Sequence, residues 1–112
     1  MQVTVAELAA KLGARILTPQ ANAQQEVTGV YCGDLLSWVM SHAEKGDAWI
    51  TVHTHVNIVA VAVLAELACI IIPESIEVDD GTVARAKEQG VTLLGSDLKA
   101  AELCWRIYEM LR

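Results

Sequence analysis

The sequence has no phenylalanine and only 4% aromatic residues, although 54% of it is hydrophobic. The surplus over the usual 45–50% or so is therefore Ala, Val, Leu and Ile, the composition of helices packed closely on a sheet. A chain of 112 residues has one core and a limited interior. Part of the apolar surplus is then expected at a contact with a second copy of the chain. Basic residues are scarce as well: eight Lys and Arg against fourteen Asp and Glu give a net charge of −6. Phosphate neutralisation needs clustered Lys and Arg, so nucleic acid is excluded as a partner. Anionic membrane surfaces are disfavoured on the same ground.

Long hydrophobic runs are missing too. The apolar stretch from Ile58 to Ile72 is interrupted by Glu66 and falls short of the roughly 20 residues that span a bilayer. The opening "MQVTVAELAAKLG" carries Glu7 early and has no basic region before an apolar core, so no signal peptide is expected there. Cys32, Cys69 and Cys104 are odd in number, widely spaced and without a CxxC. That pattern suits a reduced cytoplasm better than a disulfide framework.

What is present reads as alternating strands and helices. "TVAELAAKLGA" is a helix with Thr4 as cap, Glu7 completing a capping box and Gly13 as stop. "ARILT" is a short strand, "PQANAQQ" a polar loop, and "EVTGVYC" a strand by its β-branched alternation. "GDLLSWVMSHAEKG" is a helix capped by Asp34, with an apolar stripe of Leu35, Leu36, Val39 and Met40, ended by Gly46. "DAWITVHT" is a strand, and "NIVAVAVLAELA" an almost wholly apolar helix with Asn57 as cap. "CIIIPE" is a continuous apolar strand of the kind buried in a parallel sheet. "DDGTVARAKEQG" is a polar helix, "VTLLGS" a last strand and "DLKAAELCWRIYEML" a closing amphipathic helix. No repeat, linker or low-complexity segment interrupts the order. The expected fold is one α/β domain over residues 1–112: three layers, with a mostly parallel mixed sheet of about five strands flanked by helices.

These residues resemble the DRTGG domain family. The likeness rests on "TVAELAAKLGARILT", "VTGVYCGDLLSWVMSHAEKGDAWIT" and "HVNIVAVAVLAELACIIIPE", and is strongest over residues 26–97. It includes the Gly33-Asp34 pair after a strand and "GVTLLGSD" near the end. Members of this family occur as the amino-terminal part of HPr kinase/phosphatase relatives, beside some phosphotransacetylases, and between CBS domains of certain pyrophosphatases. The resemblance implies a sheet flanked by helices, similar to the first domain of the Mur ligases. It also implies a sensing or assembly role with no catalytic centre. One departure stands out. The Thr-Gly-Gly run that names the family is replaced here by "TVHTHVN", which lacks the glycines that let backbone N–H groups approach a ligand.

In an open α/β sheet, ligands settle outside the carboxyl ends of the parallel strands. That rule gathers the loops at residues 31–34, 53–57, 73–75 and 95–97 on one rim, and singles out Asp34, His53, Thr54, His55 and Asn57 as ligand-binding candidates. If the strand runs through residue 55, His53 and His55 share a face. A metal would then need further ligands from Cys32, Asp34, His42 or Glu74. Alternatively, the helix start at Asn57 and the neighbouring donors suit a small anion, or the histidines are satisfied loop residues. Asp34 is first a helix cap, and its charge directs any anion to the Asn57 end.

Cys32 as a nucleophile lacks an evident base and reads as a small buried hydrophobe. Cys69 and Cys104 read as structural. Glu74 and Asp97 do not establish acid–base catalysis. Trp38 and Trp49 read as core, and Trp105 with Tyr108 as core or a partner-facing patch. The expected protein is a cytoplasmic, non-catalytic regulatory module of the family, a homodimer, without cofactor or metal. It binds a small ligand, nucleotide or anion, or a partner such as a separately encoded kinase or other enzyme. A small metal- or phosphate-dependent enzyme using His53 and His55, and a pure oligomerisation module, are the alternatives.

Overall fold

The structure is a computed structural model that describes residues 3–19, 21 and 23–112. Met1, Gln2, and Gln20 and Asn22 of the expected polar loop lie outside the described residues.

The chain opens with a two-residue strand β1 (Val3–Thr4), followed at once by helix α1 (Val5–Leu12). Both halves of the capping box form. The Thr4 hydroxyl accepts from the Glu7 N–H at 3.2 Å, and the Glu7 carboxylate accepts from the Thr4 N–H at 3.1 Å. Gly13 closes the helix with φ 65°, a left-handed conformation in which a side chain is unfavourable.

Strands β2 (Arg15–Ile16), β3 (Glu26–Val27) and β4 (Gly29–Cys32) precede helix α2 (Leu36–His42) and strand β5 (Asp47–Ile50). Helix α3 (Asn57–Leu64), strand β6 (Cys69–Ile72), helix α4 (Asp80–Gln89), strand β7 (Leu93–Gly95) and helix α5 (Ala100–Leu111) complete the order. The main sheet runs β2-β7-β6-β5-β4. Its last four strands are mutually parallel, and β2 is antiparallel to β7. A separate ribbon pairs β1 with β3. This is the expected mixed, mostly parallel sheet.

Side chains alternate across each strand, which gives the sheet two faces and the molecule three layers. Ala48, Ile50, Cys69, Ile71 and Leu94 pack with α1 and α5 through Leu8, Leu12, Leu103 and Ile107. Trp49, Ile70, Ile72 and Leu93 pack with α2, α3 and α4 through Val39, Ile58, Val59, Ala62 and Ala86. Trp49 and all of β6 are inaccessible to solvent. Each fully buried Ile of β6 stabilises the fold by about 1.5–3 kcal/mol.

Several elements differ from the sequence expectation. The strand expected over residues 26–32 is broken at Thr28. Glu26–Val27 pairs with β1, whereas Gly29–Cys32 joins the main sheet. The strand expected over residues 47–54 stops at Ile50. The helix expected through residue 68 stops at Leu64, and Glu66 follows with φ 56°. Helix α2 ends at His42, before Gly46. Of its expected stripe, Val39 is in the core and Leu36 partly buried, but Leu35 and Met40 are exposed, and Trp38, expected in the core, is 56% exposed. Trp38 is therefore a surface residue, because it stands on the flank of α2 away from the sheet. Cys32, expected inside, is exposed at the edge of the sheet. No helix among the described residues is long and apolar enough to cross a membrane.

Candidate functional site

The parallel strands β4, β5, β6 and β7 all deliver their carboxyl ends to one rim, as the site argument required. Asp34 stands there, but not as a cap. The first helical turn of α2 follows Leu35, which makes no side-chain capping bond. The Asp34 carboxylate instead accepts from the Thr51 hydroxyl at 3.0 Å and the Val52 N–H at 3.1 Å. It therefore clamps the exit of β5 to the exit of β4.

The histidine loop continues that network. Thr51 accepts from the His53 N–H at 3.1 Å, and His53 Nδ1 accepts from the His55 N–H at 3.3 Å. Because Nδ1 is the acceptor, a neutral His53 carries its proton on Nε2. The two rings meet edge to face with centroids 6.4 Å apart. They do not share a strand face, since β5 has already ended. Thr54 turns its carbonyl inward, where the buried Thr82 hydroxyl of α4 donates to it at 2.7 Å. The N–H groups of His53 and His55, the His53 Nδ1 and the Thr54 carbonyl are thus committed to holding the loop's shape. Among the described residues, no three His, Cys, Asp or Glu side chains gather to hold a metal. Of the residues considered as further ligands, His42 stacks on Trp38, and Glu74 sits in a left-handed turn at φ 58°.

Asn57 is the first residue of α3 rather than its cap. The preceding Val56 is already helical, at φ −56° and ψ −24°. Asn57 opens onto a groove of about 460 Å³ between α3 and α4. Val59, Ala60, Val63 and Leu64 form its apolar side, and Arg85 and Gln89 reach it from α4. Sequence reasoning missed Arg85 and Gln89. Their four-residue spacing puts them on one face of α4, but nothing in the sequence sets that face against α3.

A second cluster occupies the β6–β7 side of the rim. Asp97 accepts from the Ser75 hydroxyl at 2.7 Å and from Arg15 Nη1 at 2.9 Å. These two donors, with the nearby Arg15 charge, hold the Asp97 carboxyl below its ordinary pKa. Glu74 and Ser75 are both left-handed. Their N–H groups, donated to Leu98 O at 2.9 Å and Ser96 O at 2.8 Å, hold that costly conformation in place. Asp97 is thus engaged by Ser75 and Arg15 in a structural link. Cys69 is buried, which pushes its thiol up to about 12. Burial first, and then the adjacent Cys32, raise Cys104 to about 11.

The fold has a known counterpart. The CBS and DRTGG domains of the regulatory region of Clostridium perfringens pyrophosphatase superpose with a TM-score of 0.71 at 14% identity. That structure was determined in complex with the activator diadenosine tetraphosphate. The match covers 89% of this chain but only 44% of the pyrophosphatase fragment. No curated protein matches the sequence. The DRTGG domain pattern matches residues 7–110, nearly the full length, so the chain belongs to the DRTGG domain family.

Proposed function

We propose that the protein is a non-catalytic regulatory module that binds a small nucleotide-like or anionic ligand at its strand-end rim. The observation that carries this reading is the groove between α3 and α4, which starts at Asn57. Its volume of about 460 Å³ is in the range of small-molecule sites, roughly 300–1,000 Å³. A base or other apolar ring would lie on Val59, Ala60 and Val63, with the anionic end toward Asn57, Arg85 and the start of α3. His53 and His55 lie in the loop that leads into that end, whereas Asp34 and Thr54 shape the loop that carries them. The nucleotide activator of the pyrophosphatase regulatory region supports this choice of ligand class.

Ligand binding would act by differential affinity for two states, read out by a partner enzyme such as a separately encoded kinase. The module would work as a homodimer. Thermal unfolding with AMP, ATP, diadenosine tetraphosphate and inorganic phosphate tests the ligand. At 100 times its dissociation constant, a ligand adds roughly 2.7 kcal/mol. For a domain near this size that shifts Tm by about 10 °C or more. The shift should disappear in Arg85→Ala. A flat response to every compound at millimolar concentration refutes the ligand reading.

A further inference from the structure

Among the described residues, strand β4 is the outermost parallel strand of the sheet and pairs with β5 alone. Natural sheet edges are normally protected by Pro, Lys, inward charges or very short strands. Gly29–Cys32 has no Pro and no charged residue. The opposite edge differs: β2 is two residues long and carries Arg15, ion-paired with Asp97 at 2.9 Å.

Aromatic side chains flank the open strand on both faces of the sheet. From α2, Trp38 lies stacked on His42, with centroids 4.0 Å apart. From α5, Trp105 and Tyr108 are 63% and 59% exposed, one turn apart on a flank away from the buried Leu103 and Ile107. His42, Tyr108, Val30 and Tyr31 line a single groove of about 280 Å³ along β4, with Glu44, Lys45 and Asp47 at its Gly29 end. The strand and both helices thus form one margin, aromatic along the helices and charged at the Gly29 end.

We propose that this margin joins two copies of the chain, with β4 pairing antiparallel to β4 of the second copy so that one sheet runs through both. The inference rests on the homodimer reading above and assigns its surface. Gly29–Cys32 itself carries no charge, so a two-fold axis through the strand sets no like charges directly across the new ladder in a chain of net charge −6. Antiparallel pairing also crosses the ends of the strand. The Glu44–Lys45 end of one strand then lies away from the same end of the other. The exposed parts of Trp38, Trp105, Tyr108 and Leu35 amount to roughly 550 Å², taking about 150–250 Å² per large side chain. With the strand itself, that approaches the roughly 800 Å² per partner of a stable interface. Exposed aromatics of this kind are what interface cores use.

Sedimentation velocity over micromolar to submillimolar concentrations, on the intact chain and on Trp38→Lys and Trp105→Lys, tests the assignment. Both positions are exposed, so the folded monomer should persist. Each change acts twice in a two-fold interface and should weaken dimerisation roughly 100-fold or more. Hydrogen exchange on the unmodified chain gives a second reading that needs no variant: β4 amides should lose protection on dilution. A wild-type chain that is monomeric throughout overturns both this surface and the dimer reading. A dimer that survives both substitutions, with β4 exchange independent of concentration, overturns the surface and leaves the dimer reading standing.

Discussion

The carboxylate of Asp34 accepts a hydrogen bond from the hydroxyl of Thr51, seventeen residues away, at 3.0 Å. Thr51 is buried to 1% exposure, so its hydroxyl depends on this acceptor. Removing the carboxylate leaves the Thr51 hydroxyl and the Val52 N–H without their partner. Such a loss costs about 1–3 kcal/mol. Asp34→Ala should therefore lower stability by that amount in urea unfolding, and Asp34→Asn should recover a large part through its side-chain oxygen. Equal losses in the two variants would show that charge, not the hydrogen bond, is what matters.

That clamp also explains where the sequence was readable and where it was not. Local signals were reliable when both partners sat within one turn, as with Thr4, Glu7 and Gly13. The buried run of β6 was legible from its unbroken Ile residues. The end of β5 was not, because Val52 leaves the ladder for a carboxylate on another loop. The break at Thr28 was hidden for the same kind of reason: its N–H is taken by Gly46 O at 3.0 Å, from the turn before β5. At Asn57 the capping preference of its side chain misled. The Ile58 N–H already bonds to His55 O at 3.1 Å, so the helical turn starts one step earlier. Topology located the rim where the parallel strands end, but the groove between α3 and α4 depends on the packing position of α4.

Thr18 should be a sensitive point of the β2–β7 edge. It is fully buried, donates to Val91 O at 3.0 Å, and accepts from the Leu93 N–H at 2.9 Å. Thr18→Val keeps the shape but removes both bonds, leaving a buried donor and a buried acceptor unsatisfied. The expected cost is about 1–3 kcal/mol by chemical denaturation. Thr18→Ser, which keeps the hydroxyl, should lose clearly less. A neutral Thr18→Val would mean that water replaces the hydroxyl at this position.

The three thiols should separate by reactivity, because the thiolate is the attacking species. Cys32 is exposed, Cys104 is half-buried with its thiol raised to about 11, and Cys69 is buried with its thiol raised to about 12. In native protein at pH 8, a disulfide reagent should modify Cys32 first and Cys104 much more slowly. Cys69 should react only on unfolding. Mass spectrometry of time points reads the order directly, and early labelling of Cys69 would contradict the burial of β6.

Two carboxylates should give opposite pH signatures. Asp97 is held below its ordinary value by the Ser75 and Arg15 bonds and the Arg15 charge. Its contribution is present above the unfolded carboxylate pKa and is lost as pH falls through the lower folded one. Asp97→Asn should thus be less stable than wild type at neutral pH and converge with it in strong acid.

Asp47 is raised instead, chiefly by burial and then by the neighbouring Glu44 charge, against a lowering bond from the Glu44 N–H. Its carboxylate accepts that N–H at 2.9 Å and lies against Gly29, where an added Cβ would collide with it. The folded state therefore favours neutral Asp47. The stabilising effect of protonation is full below the unfolded pKa of about 3.8 and vanishes as pH rises through the folded value. Asn at this position keeps an acceptor for the Glu44 N–H without a charge to bury. Asp47→Asn should therefore raise Tm at pH 7, with the gain shrinking as pH falls through the raised folded value and absent at about pH 3, below the unfolded carboxylate pKa. Thermal unfolding across that range decides the point: a gain that grows toward acid would reverse the assigned sign.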